Sequence, residues 1–62
     1  MSSIAKAFKQ ARKQKKLKQA EVAEKAGIHS NTYAKIERGL QEPAFPTAKK
    51  IARALGLNLD DL

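Results

Sequence analysis

Residues Gln19 to Gly39 read QAEVAEKAGIHSNTYAKIERG. Val22, Ala23 and Ala26 recur at helical spacing before Gly27, and Tyr33 and Ile36 do so after it. The pattern predicts two short amphipathic helices meeting at Gly27, with a turn of only three or four residues between them. Ala23 and Gly27 are small where the helices would cross closely. Val22, Ala26, Ile28, Tyr33 and Ile36 supply apolar anchors. Two helices joined this tightly around a glycine read as a helix-turn-helix.

Upstream, Ser2 or Ser3 can cap a first helix running to about Lys15, with Ile4, Ala5, Phe8, Ala11 and Arg12 on one stripe. Arg12 is the odd member, a charge on or beside the face that should be buried. Leu17 closes the following loop and should point inward. The second helix begins at Lys18 or Gln19 and ends at Ala26, with Gly27 as its left-handed stop. The third runs from about Ser30 to Arg38. His29 stands at or just before its N-cap, where Ser, Thr, Asn or Asp is favoured, and Ser30 takes that role if the helix starts one residue later. Ser30, Asn31, Ala34 and Lys35 share the face opposite Tyr33 and Ile36.

Downstream, Pro43 and Pro46 mark residues Leu40 to Pro46 as a connector. Pro46 suits the first turn of a fourth helix, about Phe45 to Leu55, with Ala48, Ile51, Ala52 and Leu55 inward and Gly56 at its end. Asn58 reads as the N-cap of a short final helix with Asp60 and Asp61 in its first turn. The expectation is an all-α, compact five-helix domain over residues 1–62, with the helix-turn-helix formed by helices two and three.

Sixty-two residues leave no room for a catalytic cleft beside a separate scaffold. A chain this short buries only about 60% of its unfolded surface, so it must pack compactly. The absence of cysteine excludes disulfides and thiolate metal sites. His29 stands alone, and Asp60 and Asp61 have no partner base, so no metal, cofactor, small-molecule substrate or enzymatic activity is expected. No apolar run approaches the roughly 20 residues that span a bilayer, and the N-terminus lacks a signal-peptide core. A cytoplasmic protein fits these features.

Thirteen Lys and Arg stand against six Asp and Glu, for a net charge of +7. Lys6, Lys9, Arg12, Lys13, Lys15, Lys16 and Lys18 fall within thirteen positions, while Glu42 is the only acid between Glu37 and Asp60. Clustered charge of this kind is the footprint of a polyanion binder. The same charge alone also fits a solvated helix face or an anionic membrane surface.

Several segments, in order, resemble the Cro/C1-type helix-turn-helix family, the lambda-repressor-like fold of phage repressors and xenobiotic-response-element-type bacterial regulators. They are Leu17-Lys18-Gln19, Ala23 with Gly27, Thr32-Tyr33-Ala34-Lys35-Ile36-Glu37-Arg38-Gly39, and Ile51-Ala52-Arg53-Ala54-Leu55-Gly56 followed by Leu59-Asp60-Asp61-Leu62. The resemblance covers almost the whole chain. It implies that Arg12 pairs with Glu37, the glutamate before the glycine that ends the recognition helix. A charge on a packed face needs an opposite charge beside it in any case.

The resemblance implies a small transcription regulator, a repressor, that binds double-stranded DNA as a homodimer on an inverted repeat. A helix-turn-helix lays its second helix in the major groove with its N-terminal residues at base edges. Those positions here are Ser30, Asn31, Ala34 and Lys35. Asn suits adenine N6 and N7, Lys suits guanine O6 and N7, and an Ala methyl can meet the thymine methyl. The resemblance gives Gln19 a phosphate contact that braces the recognition helix. Lys18, Thr32, Arg38, Lys16 and Lys13 are further backbone contacts. His29 lies near the DNA edge in this reading, as a helix cap or as a charge that tunes affinity.

Departures from the family pattern also matter. Ala44 follows the connector proline where relatives carry a capping Ser or Thr, and Lys49 takes a place that is often apolar, implying a thinner core there. Leu57, Leu59 and Leu62 form either a dimer face or intramolecular packing of the last helix. The competing function is a protein-interaction module, such as an antitoxin-like partner on the same fold. The polar Ser30, Asn31 and Lys35 face beside dense Lys charge speaks against it.

Overall fold

A computed structural model describes residues 3–58 and holds four helices among them. They are α1 (Ser3–Gln14), α2 (Gln19–Ala26), α3 (Ser30–Glu37) and α4 (Phe45–Leu55). The expected fifth helix, with Asp60 and Asp61 in its first turn, falls on residues 59–62, outside the described residues. Ser2, one of two expected caps of α1, is also outside them, and Ser3 is already helical.

α2 packs against both α3 and α4, and α1 lies across the same two helices. Phe8, Val22, Tyr33, Ile36, Ile51 and Leu55 fill the space between them and are fully buried. Burying each such side chain contributes roughly 1.5–3 kcal/mol. Ala23, Ala26, Ala48 and Ala52 let the helices approach around them, while Ile4, Leu17, Ile28 and Leu57 close the rim half-buried. Lys49 is exposed and stands outside this core, so the position expected to thin it does not belong to it.

The four helices end alike. In each, one backbone N–H reaches back three residues and the next reaches back five, the double closure of a Schellman motif. After α2 these bonds run from Gly27 to Glu24 O at 3.1 Å and from Ile28 to Ala23 O at 2.9 Å. Gly27 adopts φ +73, a conformation that β-carbons disfavour. The expectation that Gly27 is small for close helix crossing is corrected here. It is exposed, and a Cβ built on it would meet nothing within 4 Å, so its use is the left-handed turn alone.

The helix starts are less well furnished. At α2 the N-cap is Lys18, whose ammonium cannot accept a hydrogen bond. Only the reciprocal half of a capping box forms, with Lys18 N–H donating to Glu21 Oε1 at 2.8 Å. His29 and Ala44 cap α3 and α4 with extended backbone and no side-chain bond. Ser30 is therefore the first helical residue of α3, not its cap.

Candidate nucleic-acid interface

The turn between α2 and α3 consists of Gly27, Ile28 and His29. Gly27 reverses the chain, Ile28 drops its side chain against the core, and His29 restores extended backbone at φ −67, ψ 142. α3 is then fixed along one side by Tyr33, Ile36 and Glu37, all buried. Asn31 and Lys35, one turn apart and both exposed, project directly away from that side. Ser30 is exposed at the helix start and Ala34 is half-buried, so both flank the outward line.

Glu37 organises the contact of α3 with the rest of the molecule. Its carboxylate accepts from Arg12 Nε at 2.6 Å through Oε2, and from Arg12 Nη2 at 3.2 Å through Oε1. The remaining Arg12 terminal nitrogen, Nη1, donates to the Leu17 carbonyl at 2.8 Å. Gln19 Nε2 donates to Glu37 Oε1 at 3.1 Å. One arginine therefore ties the last turn of α1 to the end of α3 and to the loop entering α2. The Arg12 and Glu37 side chains are 15% and 3% exposed, so the pair is shielded well beyond a surface salt bridge.

Burial alone would raise the Glu37 carboxyl, but hydrogen bonding, chiefly from Arg12, holds it below the usual carboxylate range. The hydrogen bond to Glu37 raises the Arg12 guanidinium in turn. Tyr33 adds its hydroxyl beside this pair. That oxygen is wholly buried, close to the Glu37 carboxylate but without a well-formed hydrogen bond to it. Burial first, and then the neighbouring carboxylate, pushes the phenol well above its ordinary value.

Gln19 stands half-buried at the first position of α2, with one amide hydrogen committed to Glu37. Its second amide hydrogen and the backbone N–H groups of Gln19 and Ala20 remain for an anion. Lys18 and Lys16 precede it, both exposed, and Lys13 is exposed in the last turn of α1. Arg38, exposed, caps the far end of α3, and Thr32 is half-buried on the edge of that helix. The fold thus gathers Lys16, Lys18 and Gln19 at one helix start. Asn31 and Lys35 stand apart from them on the exposed line of α3.

Leu57 is half-buried against the core, while Leu59 and Leu62 lie outside the described residues. Leu40 and Phe45, the exposed large apolar side chains, sit in the connector and at the start of α4, so the outer line of α3 is polar. The described residues hold no cluster of three or more His, Cys, Asp or Glu that could bind a metal ion. No helix among them is long and apolar enough to cross a membrane.

Three features were not foreseen from the sequence: the Gln19 bond to Glu37, the Arg12 bond to the Leu17 carbonyl, and a left-handed backbone at Lys16. The first two join residues that no helical period relates. The third had a faint signal, since no glycine follows α1 where one follows each other helix.

A family model described as Helix-turn-helix matches residues 8–62. The uncharacterized HTH-type transcriptional regulator YqaE of Bacillus subtilis (strain 168) is 43% identical over 55 residues, covering 89% of this chain and 47% of its own. The cryptic phage CTXphi transcriptional repressor RstR of Vibrio cholerae is 37% identical over 51 residues, covering 82% and 46%. The immunity repressor protein of Bacillus phage phi105 is 35% identical over 57 residues, covering 92% and 40%. The chain spans less than half the length of each of these relatives. No solved structure matches it significantly.

Proposed function

Because the chain belongs to the Helix-turn-helix family, we propose that it is a sequence-specific double-stranded DNA-binding module of a bacterial or phage transcription regulator, and that it represses. Residues 1–62 form one Cro/C1-type domain in this reading, acting in the cytoplasm, with α3 in the major groove. The observation that carries it is the division of α3 into a locked side and a free side. Tyr33, Ile36 and Glu37 fix the helix, and Asn31 and Lys35 are left pointing outward together. Rigid presentation of side chains is what base readout requires, because a bidentate contact discriminates by about 1–3 kcal/mol only if its donors are held in place.

In this reading Ser30, Asn31, Ala34 and Lys35 meet base edges. Gln19, Lys18, Thr32, Arg38, Lys16 and Lys13 meet phosphates, which set register without specifying sequence. Arg12 and Glu37 hold the two helices at the angle that lets both sets engage one groove. A single module of this size makes few base contacts, and two-fold duplication doubles them, so a homodimer on an inverted repeat follows, with half-sites about one helical turn apart. Leu57, Leu59 and Leu62 are the proposed dimer contact.

Selection of binding sites from random duplex DNA at near-physiological salt tests the reading. A palindromic consensus supports sequence-specific, two-fold binding. A non-palindromic consensus removes the dimer on an inverted repeat, and no enrichment overturns DNA reading in favour of a protein-interaction role.

A further inference from the structure

The double closure that ends each helix places one residue in the left-handed region, and three of the four such residues are glycines: Gly27, Gly39 and Gly56, at φ 73, 76 and 72. The fourth is Lys16, at φ 58, after α1. Its N–H reaches Lys13 O at 3.0 Å, and the following Leu17 N–H reaches Arg12 O at 3.1 Å. The left-handed region strains any residue that carries a β-carbon. Glycine is the unstrained choice, and asparagine tolerates the region better than lysine.

Nothing inside the fold uses the Lys16 side chain. It is exposed, and no hydrogen bond or ion pair involves it among the described residues. Its neighbour Lys15 makes a useful contrast. The Lys15 ammonium lies 3.4 Å from where a Cβ on Gly56 would stand, at the carbonyl end of α4, which a cation stabilises. Lys15 thus lies against the end of α4. The backbone at Lys16 is also fixed, by the two closing bonds and by Arg12 Nη1 on the Leu17 carbonyl at 2.8 Å. It therefore roots a solvent-exposed cationic side chain at a set backbone position just before Lys18 and the start of α2.

We propose that Lys16 occupies this left-handed position for its charge, as a contact to a DNA phosphate beside the start of α2, at the expense of fold stability. The proposal rests on the DNA-binding reading above and adds to it a trade between stability and affinity at one residue.

The test compares the parent with Lys16→Gly and Lys16→Arg. Each is followed by thermal unfolding and by binding to a random-sequence duplex between about 50 and 200 mM salt. Lys16→Gly should raise the unfolding midpoint by about 4 °C through relief of strain. It should also weaken binding about threefold to tenfold and flatten the slope of log K against log salt by about 0.9. Lys16→Arg keeps both the β-carbon and the charge, so its midpoint should not rise and its salt slope should stay steeper than that of Lys16→Gly. If Lys16→Gly binds with the parent's affinity and slope, the phosphate contact is overturned. If its midpoint does not rise, the strain is overturned. A parent that binds no duplex overturns the DNA reading and this proposal together, whereas a parent that binds beside an unaffected Lys16→Gly overturns this proposal alone.

Discussion

Arg12 and Glu37, 25 residues apart in the chain, face each other through two parallel hydrogen bonds of 2.6 and 3.2 Å. Arg12 also donates to the Leu17 carbonyl, and Glu37 also accepts from the Gln19 amide. The group at the centre of this arrangement is the buried carboxylate. Its desolvation is offset only while the guanidinium is present, so the pair must be judged by what is left when one partner goes.

Removing one partner should be severe. Breaking a buried pair costs about 3–5 kcal/mol, whereas a 62-residue domain holds roughly 3–9 kcal/mol in all. Arg12→Ala should therefore leave the chain near its unfolding midpoint at room temperature. Arg12→Met with Glu37→Leu should recover much of the loss, because no buried charge remains. A urea-denaturation cycle over the single and double variants should give a coupling above about 1.5 kcal/mol. Coupling near zero would mean that water shields the pair and that α3 is held by apolar contacts alone.

The same carboxylate makes stability depend on acid. Its folded pKa lies below the unfolded value of about 4.3. Its contribution is therefore complete above that unfolded value and is lost as pH falls through the lower folded value. Stability measured from pH 6 down to about pH 3 should fall more steeply in the parent than in Glu37→Gln. Parallel curves would show that Glu37 titrates alike in the folded and unfolded chains.

Much of the fold was legible in the sequence because its punctuation is local. Gly27, Gly39 and Gly56 each mark a helix end, and Pro46 marks a helix start, so the bounds of α2 and α4 were readable from single residues. The inward faces were readable too, because Val22, Ala26, Tyr33, Ile36, Ile51 and Leu55 fall on helical spacing. The site was legible only where it shares that spacing: Asn31 and Lys35 face outward because Tyr33 and Ile36 face inward. The bond from Gln19 to Glu37 was not readable, because it depends on how α2 lies against α3, which no period within either helix encodes. The strain at Lys16 was hidden for the opposite reason. A lysine there gives no turn signal, and the closure is imposed by neighbouring backbone bonds.

The start of α4 offers a direct test of the missing cap. Ala44 has the extended backbone of an N-cap, at φ −62 and ψ 155, but no side chain to accept a hydrogen bond. Pro46 carries no N–H, so the group awaiting a partner at the third helical position is the Thr47 N–H. Ala44→Ser supplies the acceptor and should stabilise the domain by about 1 kcal/mol, seen as a midpoint higher by roughly 4–8 °C. An unchanged midpoint would show that water already serves that N–H as well as a hydroxyl does.

Tyr33 poses the reverse case, a polar atom whose loss should help. Its ring fills the centre of the core, while its hydroxyl lies buried beside the Arg12–Glu37 pair with no partner. An unsatisfied buried hydroxyl costs about 1–3 kcal/mol, and phenylalanine keeps the ring without it. Tyr33→Phe should therefore hold or raise stability, by up to about 1 kcal/mol once loss of hydroxyl packing is counted. Arg12 remains the chief support of the Glu37 carboxylate, so its pKa should rise only partway toward the ordinary value in the variant, as read by carboxyl NMR titration. A loss above about 1 kcal/mol would show that the hydroxyl donates to the carboxylate and belongs to the network that holds α3.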